Sequence, residues 1–321
     1  MTTHALLIEN ISKRYAGHTA VDNLSLAVPT GSIYGILGPN GAGKSSTLRM
    51  VLNIIAWDEG RVSLLGHDPE ADRSVLRRVG YLPEERGLYK KMGVRDVIVF
   101  FAQLKGMAAR DARREADRWI DKMGLGEWRT GKVETLSKGM QQKVQFITTV
   151  LHDPDLLVLD EPFSGLDPVN QEVLRDTVVE AKQAGKTVIF STHGMEQAEQ
   201  LCEYVCIIAD GRKVLDGNLR EIRRANLGNR YTIEFDHPSE AADRWVQGSR
   251  AFLRAERDGE GDGWQVELQP GADTRDVMRA LADLDVPLTR FARVEPSLHE
   301  IFVQRVGEAA IAHRRPEIAH V

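Results

Sequence analysis

Two short segments hold the residues whose types and spacing could do chemistry. Gly38-Pro39-Asn40-Gly41-Ala42-Gly43-Lys44-Ser45 fits G-x-x-x-x-G-K-[ST], and a second hydroxyl follows at Ser46. Its glycines let the backbone curl so that successive N–H groups point at phosphate oxygens. A helix opening directly behind the loop adds the partial positive charge of its N-terminus. In such a loop Lys44 neutralises charge on the outer phosphates of a nucleotide, and the Ser45 hydroxyl ligates Mg²⁺. The second segment is LLVLD at residues 156–160, four aliphatic residues ending in Asp160 and followed at once by Glu161. A carboxylate at the C-terminal end of a buried parallel strand lies where ligands bind in open α/β sheets. Asp160 is then placed to hold the metal, directly or through water, and Glu161 to polarise an attacking water. The site needs both acids, because the cation neutralises one and the other must stay a free acceptor.

The elements that must carry these side chains are legible as alternating strand-like and helix-like segments over roughly the first 225 residues. Strands are predicted at 6–11, 32–37, 61–64, 79–82, 156–160, 187–191 and 204–209. The runs at 32–37, 156–160 and 187–191 are apolar almost without interruption, the mark of strands buried on both faces of a parallel sheet. Helical patterns lie between them at 44–55, 169–184 and 195–202, so the fold class is α/β. From 94 to 151 the strand signals stop, and 94–105, 110–123 and 137–151 read as helices of an inserted subdomain spanning about 85–151. Near NLGNR, residues 226–230, the character changes again. YTIEF, a polar turn DGEGDG at 258–263, WQVEL and the helical TRDVMRALADL predict a small α+β domain over 229–306 behind a first domain of 1–228. The tail at 307–321 lacks a core pattern and is expected to be mobile.

Composition bounds the answer. At about 150 residues per domain, 321 residues give roughly two domains. Lys and Arg number 42 against 47 Asp and Glu, a net charge of −5, which excludes a uniformly basic nucleic-acid binder. Two cysteines, Cys202 and Cys206, cannot build a disulfide framework, and their i, i+4 spacing before a strand predicts buried packing in a reducing compartment. The longest apolar runs, 97–102 and 204–209, are far short of the roughly 20 residues of a membrane span. The start MTTHALLIEN has no secretion-signal pattern, so a soluble, cytoplasmic chain is expected. The basic stretches 110–118 and 220–224 are read as solvated helix faces.

LLVLDEPFSGLDP at 156–168, with His193 after the strand TVIFST, resembles the nucleotide-binding subunit of an ABC transporter. The resemblance covers about residues 5–225 and has its parts in the family's order: P-loop, strand and loop at 79–84, helical insert, signature segment 136–141, acidic strand, the turn at 164–167 and a switch histidine. It implies a P-loop ATPase of the ABC type. Tyr15 would stack on adenine, His193 would contact the γ-phosphate, and Asp167 would belong to a turn communicating across a dimer interface. Ser137 and Gly139 would head a helix facing the γ-phosphate held by a second subunit. The implied ligands are ATP and Mg²⁺. The implied partners are a second ATP-binding subunit in a homodimer and integral membrane permease subunits, with no nucleic acid, and the chain would lie peripherally on the inner face of the membrane.

Two positions depart from the family's usual wording. The signature LSGGQ is here Leu136-Ser137-Lys138-Gly139-Met140-Gln141, and the Gln that usually follows the strand at 79–82 is replaced by Glu84. A carboxylate can ligate the metal at least as well as an amide oxygen, at the cost of the amide donor. YLPEERGLYKKM and LSKGMQQK resemble a branch of bacterial exporter ATPases that includes sodium- and antibiotic-export types, and VEPSLHEIFVQRV at 294–306 resembles the close of an accessory domain of those exporters. Tyr89, Lys90 and Lys91 are then a candidate edge of the surface meeting the membrane partner. The rival reading is a soluble ABC-type ATPase acting on nucleic acid or ribosomes. Such proteins often carry two cassettes or long coiled-coil insertions, and neither is visible. A non-hydrolysing nucleotide sensor is disfavoured by the intact set of Asp160, Glu161 and His193.

Overall fold

The strand that feeds the glycine-rich loop is buried along its whole length, as its unbroken apolar run demands. In the computed structural model, which describes residues 3–85, 87–258 and 263–313, the chain divides into two units, residues 1–219 with 302–321 and residues 220–301. The first opens with β1 (His4–Tyr15), β2 (His18–Pro29), β3 (Ile33–Leu37), α1 (Lys44–Val51), β4 (Glu59–Leu64) and β5 (Val79–Leu82). Three helices follow with no strand between them, α2 (Val94–Leu104), α3 (Ala109–Lys122) and α4 (Lys138–Val150). Alternation then resumes with β6 (Leu156–Asp160), α5 (Pro168–Gln183), β7 (Thr187–Thr192), α6 (Met195–Leu201), β8 (Tyr204–Ala209) and β9 (Arg212–Asn218), and α7 (Leu219–Ala225) belongs, all but its first residue, to the second unit.

Six of these strands form one sheet in the order β5-β6-β7-β3-β8-β9, parallel throughout except for β9. Register matters most here. Leu37 of β3 pairs with Thr192 of β7, and Asp160 of β6 pairs with Ser191. The C-terminal ends of three neighbouring strands therefore deliver the glycine-rich loop, the Asp160–Glu161 pair and His193 to one edge. A second, antiparallel sheet has the order β2-β1-β4. A single apolar cluster joins Leu6 and Ile8 of β1, Leu48 and Met50 of α1, and Ile36 of β3. Burying each such side chain contributes about 1.5–3 kcal/mol, which seats α1 and the loop before it.

The helices form for local reasons. In α3 the buried residues Ala112, Ala116, Trp119 and Ile120 fall on one stripe, and the charged remainder faces out. Ser137 caps α4 by accepting from Met140 N–H, and Asp167 caps α5 by accepting from Asn170 N–H with Pro168 in the first turn. The helix expected over 44–55 ends earlier, at Val51, because Leu52 caps it and Asn53 turns left-handed at φ 50°.

The second unit contains β10 (Arg230–Phe235), α8 (Glu240–Gly248), β11 (Phe252–Arg257), β12 (Trp264–Leu268), α9 (Thr274–Ala282) and β13 (Leu288–Arg293). Its antiparallel sheet has the order β11-β12-β10-β13. Alternate residues Tyr231, Ile233 and Phe235 face the core with Trp264, Val266 and Leu268, and Ala242, Val246, Val277 and Leu281 of the two helices cover them. The second unit ends at Ile301, inside a last helix, α10 (Leu298–His313). Residues 307–313 of the expected tail belong to that helix, and 314–321 lie outside the described residues, as does most of the turn expected at 258–263. Cys202 and Cys206 are buried and unpaired. Among the described residues no helix is long and apolar enough to cross a membrane.

Candidate active site

The loop between β3 and α1 requires glycine where it passes close to other backbone. At Gly38, φ is 151° and a Cβ would lie 2.1 Å from the Ile208 carbonyl oxygen; at Gly43, φ is 102° and a Cβ would lie 2.4 Å from that of Ala20. Gly43 is also the N-cap of α1, so the first free N–H groups of the helix open onto the loop. Lys44, in the first turn, is buried. Its Nζ donates to the carbonyls of Gly38 (2.8 Å) and Pro39 (3.2 Å) and stands 3.8 Å from Glu161 Oε1. An ammonium bent back over its own loop sits above the backbone donors of that loop, where an anion would bind.

Asp160 is fully buried at the end of β6. Its Oδ1 accepts from Ser45 Oγ at 3.1 Å and from Ser191 Oγ, whereas Oδ2 has no partner among the described residues. An unpaired carboxylate oxygen in the interior is costly unless something positive meets it. Next in the chain, Glu161 takes a left-handed backbone, φ 49°, and its N–H donates to Ser191 O at 3.1 Å. Glu161 Oε1 in turn accepts from the backbone N–H of His193 at 3.1 Å and lies 2.9 Å from His193 Nδ1.

These groups open onto a cleft of about 560 Å³, within the range of ligand sites. Of the residues singled out in the sequence, it brings together Tyr15, Asn40, Gly41, Gly43, Lys44, Ser45, Ser46, Glu84 and Glu161. Gly38, Pro39 and Ala42 shape the loop without lining the cleft, and His193 touches it through Glu161. The ring of Tyr15 is half exposed, with Lys13 Nζ 5.5 Å from its centroid. Sequence reasoning missed His18, which also lines the cleft. The available signal was the two-residue hairpin turn that pairs it with Tyr15. Among the described lining residues Lys44 is the only lysine or arginine, facing Glu84 and Glu161, with Asp160 behind Ser45. Three carboxylates around one ammonium repel a bare polyphosphate, so a divalent cation entering with the anion fits this charge balance, and the free Oδ2 of Asp160 fits it as a ligand.

A second group lies apart from the cleft. Ser137 and Gly139 at the tip of α4, and Asp167 at the tip of α5, do not line it. The two helix tips adjoin, since a Cβ on Gly139 would lie 3.8 Å from Leu166 Cδ2 and 3.9 Å from Asn170 Nδ2. The backbone N–H of Asn170 holds the Asp167 carboxyl below the usual carboxylate range.

Comparison with known proteins agrees with this geometry. Residues 21–164 match the ABC transporter family model, and residues 217–306 match the C-terminal domain of DrrA1-3-like ATP-binding proteins. The ABC transporter ATP-binding protein YhaQ of Bacillus subtilis is 42% identical over 303 residues, covering 94% of this chain and 98% of its own. The daunorubicin/doxorubicin resistance ATP-binding protein DrrA of Streptomyces peucetius is 32% identical over 313 residues, covering 96% and 94%. The solved structure of an ATP-binding subunit of an ABC transporter superposes with a TM-score of 0.65 at 28% identity, over 69% of this chain and 92% of that one. A glycine-rich loop that opens a helix, an acidic pair at the neighbouring strand end and relatives matched from end to end leave one assignment: the chain belongs to the ABC transporter ATP-binding proteins, ATPases coupled to transport.

Proposed function

We propose that two copies of this chain close around ATP and drive export through separate membrane subunits from the inner face of the membrane. The observation that carries this reading is the junction of Lys44, the Ser45–Asp160 pair and the Glu161–His193 pair at adjacent strand ends beside the cleft. One chain has one glycine-rich loop and one signature segment, and the signature tip lies away from its own cleft. A complete site then takes Ser137 and Gly139 from a second copy, whose α4 N-terminus meets the γ-phosphate with its partial positive charge. In each cleft Tyr15 stacks on the adenine, the loop N–H groups and Lys44 hold the phosphates, and Glu161 orients and deprotonates water. His193 positions Glu161, and Asp167 carries the state of one site to the other. Ser45, Asp160 and Glu84 would hold Mg²⁺, which supplies neutralisation of phosphate charge.

Export is supported by the names of relatives, which include DrrA and the Nod factor export ATP-binding protein I of Burkholderia species. For a membrane partner, a groove of about 440 Å³ opens between the Glu84 loop, α2 and α4, lined in part by Leu88, Phe101 and Leu104, with Tyr89 exposed beside it. Its basic rim of Arg73, Arg77 and Lys105 suits an acidic, apolar segment. The test uses Glu161→Gln, which should hold ATP without consuming it. Light scattering should then show a dimer with ATP and Mg²⁺ and a monomer without, and the chain should co-purify with a polytopic membrane protein. A persistent monomer with bound ATP would overturn the dimer reading.

A further inference from the structure

We propose that Gln145 is a positioning residue that fixes Glu84 for contact with the metal and ties it to the helix carrying Ser137. The inference rests on Glu84 being a metal ligand as proposed above. Gln145 lies on α4 about two turns beyond Ser137 and is only 4% exposed. Its Nε2 donates to the carbonyl of Glu85 at 3.1 Å and to that of Pro83 at 3.4 Å, the residues on either side of Glu84. One buried amide therefore spans Glu84, whose backbone cannot swing without losing both contacts.

The neighbours of Gln145 along α4 work in the same direction. The Thr149 hydroxyl shares its one proton between Gln145 O at 3.0 Å and Tyr81 O at 3.2 Å, the latter on the strand that feeds the Glu84 loop. Gln142 donates to Pro162 O at 3.4 Å, directly after Glu161. Residues 142, 145 and 149 share one face of the helix, so a single rigid rod holds the backbone beside both acids. Stability alone does not account for Gln145. Its Oε1 is buried without a partner among the described residues, and Met would fill the same volume without that penalty. The amide is the costlier choice, and what it adds is the pair of donors aimed at the Glu84 loop.

The experiment compares wild type, Gln145→Met, Glu84→Ala and the double variant in the full chain. In nucleotide-free Gln145→Met, exchange of the Glu84 and Glu85 amides should quicken roughly tenfold, the scale of one or two net hydrogen bonds, while α4 stays protected. The Mg²⁺ concentration for half-maximal ATP turnover should rise roughly tenfold, with KM for ATP at saturating Mg²⁺ unchanged. Adding Gln145→Met to Glu84→Ala should then leave the Mg²⁺ midpoint where Glu84→Ala alone puts it, because the first residue acts through the second. An additive double variant, an unmoved Mg²⁺ midpoint, or loosening spread along all of α4 would overturn the proposal. If Glu84→Ala itself leaves the midpoint unmoved, the metal role of Glu84 falls; the amide exchange at Glu84 reports on the Gln145 clamp independently. Should Gln145→Met fail to fold, Gln145→Glu keeps the shape and replaces the donor, and the same comparison applies.

Discussion

Glu161 and His193 are joined through one atom: Oε1 of the glutamate meets both the backbone N–H and Nδ1 of the histidine, at 3.1 and 2.9 Å. A carboxylate only accepts, so in this contact Nδ1 is the donor, and Nε2 is left for a ligand. Lys44 Nζ stands 3.8 Å from the same oxygen. All three contacts fall on Oε1, an arrangement that suits the base role proposed for Glu161 by keeping them off Oε2. The histidine both orients the acid and is oriented by it, as expected of a base and its positioning partner.

Glu161→Gln keeps the shape and the Oε1 acceptor but removes the base. Turnover should fall by at least about 10²-fold with ATP affinity retained, measured by phosphate release and by equilibrium binding. Undiminished turnover would take the base role from Glu161.

Gly38→Ala places a methyl group 2.1 Å from the Ile208 carbonyl in a backbone conformation that alanine resists. The loop must move or strain, at a cost of about 1–3 kcal/mol. ATP binding should weaken in both Gly38→Ala and Lys44→Ala, and the melting temperature should drop further in the glycine variant, because Lys44→Ala loses two hydrogen bonds to the loop but forces no clash. Titration calorimetry and thermal unfolding together distinguish the two.

Ser137→Ala removes the cap that accepts from Met140 N–H at 3.2 Å, for about 1 kcal/mol of stability. Binding of ATP to a monomer should be untouched, because Ser137 does not line the cleft. In the Glu161→Gln background, ATP-dependent dimerisation should weaken by more than the cap loss explains. Equal dimer constants with and without the serine hydroxyl would remove it from the interface.

Burial, helped by the nearby Lys105 ammonium, pushes the His152 imidazole from 6.5 down to about 4. The folded-state value is the lower one, so as pH falls the unfolded chain takes the proton first. Stability is whole above about pH 6.5, declines from there to about pH 4, and loses nothing further from this group below that. With allowance for partial solvent screening the loss is about 2 kcal/mol. Urea unfolding at pH 7 and pH 4.5 should show wild type losing that much more than His152→Leu; parallel losses would contradict it.

The parts of the fold readable in the sequence are those whose environment leaves one kind of mark. β3, β6 and β7 are buried on both faces, so their runs are apolar throughout, and the loops after them carry the site. β2 escaped notice because its alternation is broken at Asn23, which takes a left-handed backbone, and its register against β1 slips. β13 buries none of its residues fully and β9 lies at an edge, so neither writes a hydrophobic period. α8 buries only Ala242 and Val246, too little for a visible stripe. Motif order supplied Lys44, Asp160 and Glu161, but Gln145 is a polar residue at a buried helix position, and only the backbone it touches reveals its use.

The left-handed turn of Glu161 has a consequence for how this site can change over time. Glycine would relax that backbone at no steric cost, and asparagine nearly so, whereas a long acid holds it under load. Random drift toward a sturdier chain would therefore pull this position away from an acid. Heat-selected libraries should accumulate small residues there, and libraries selected for turnover should refuse them.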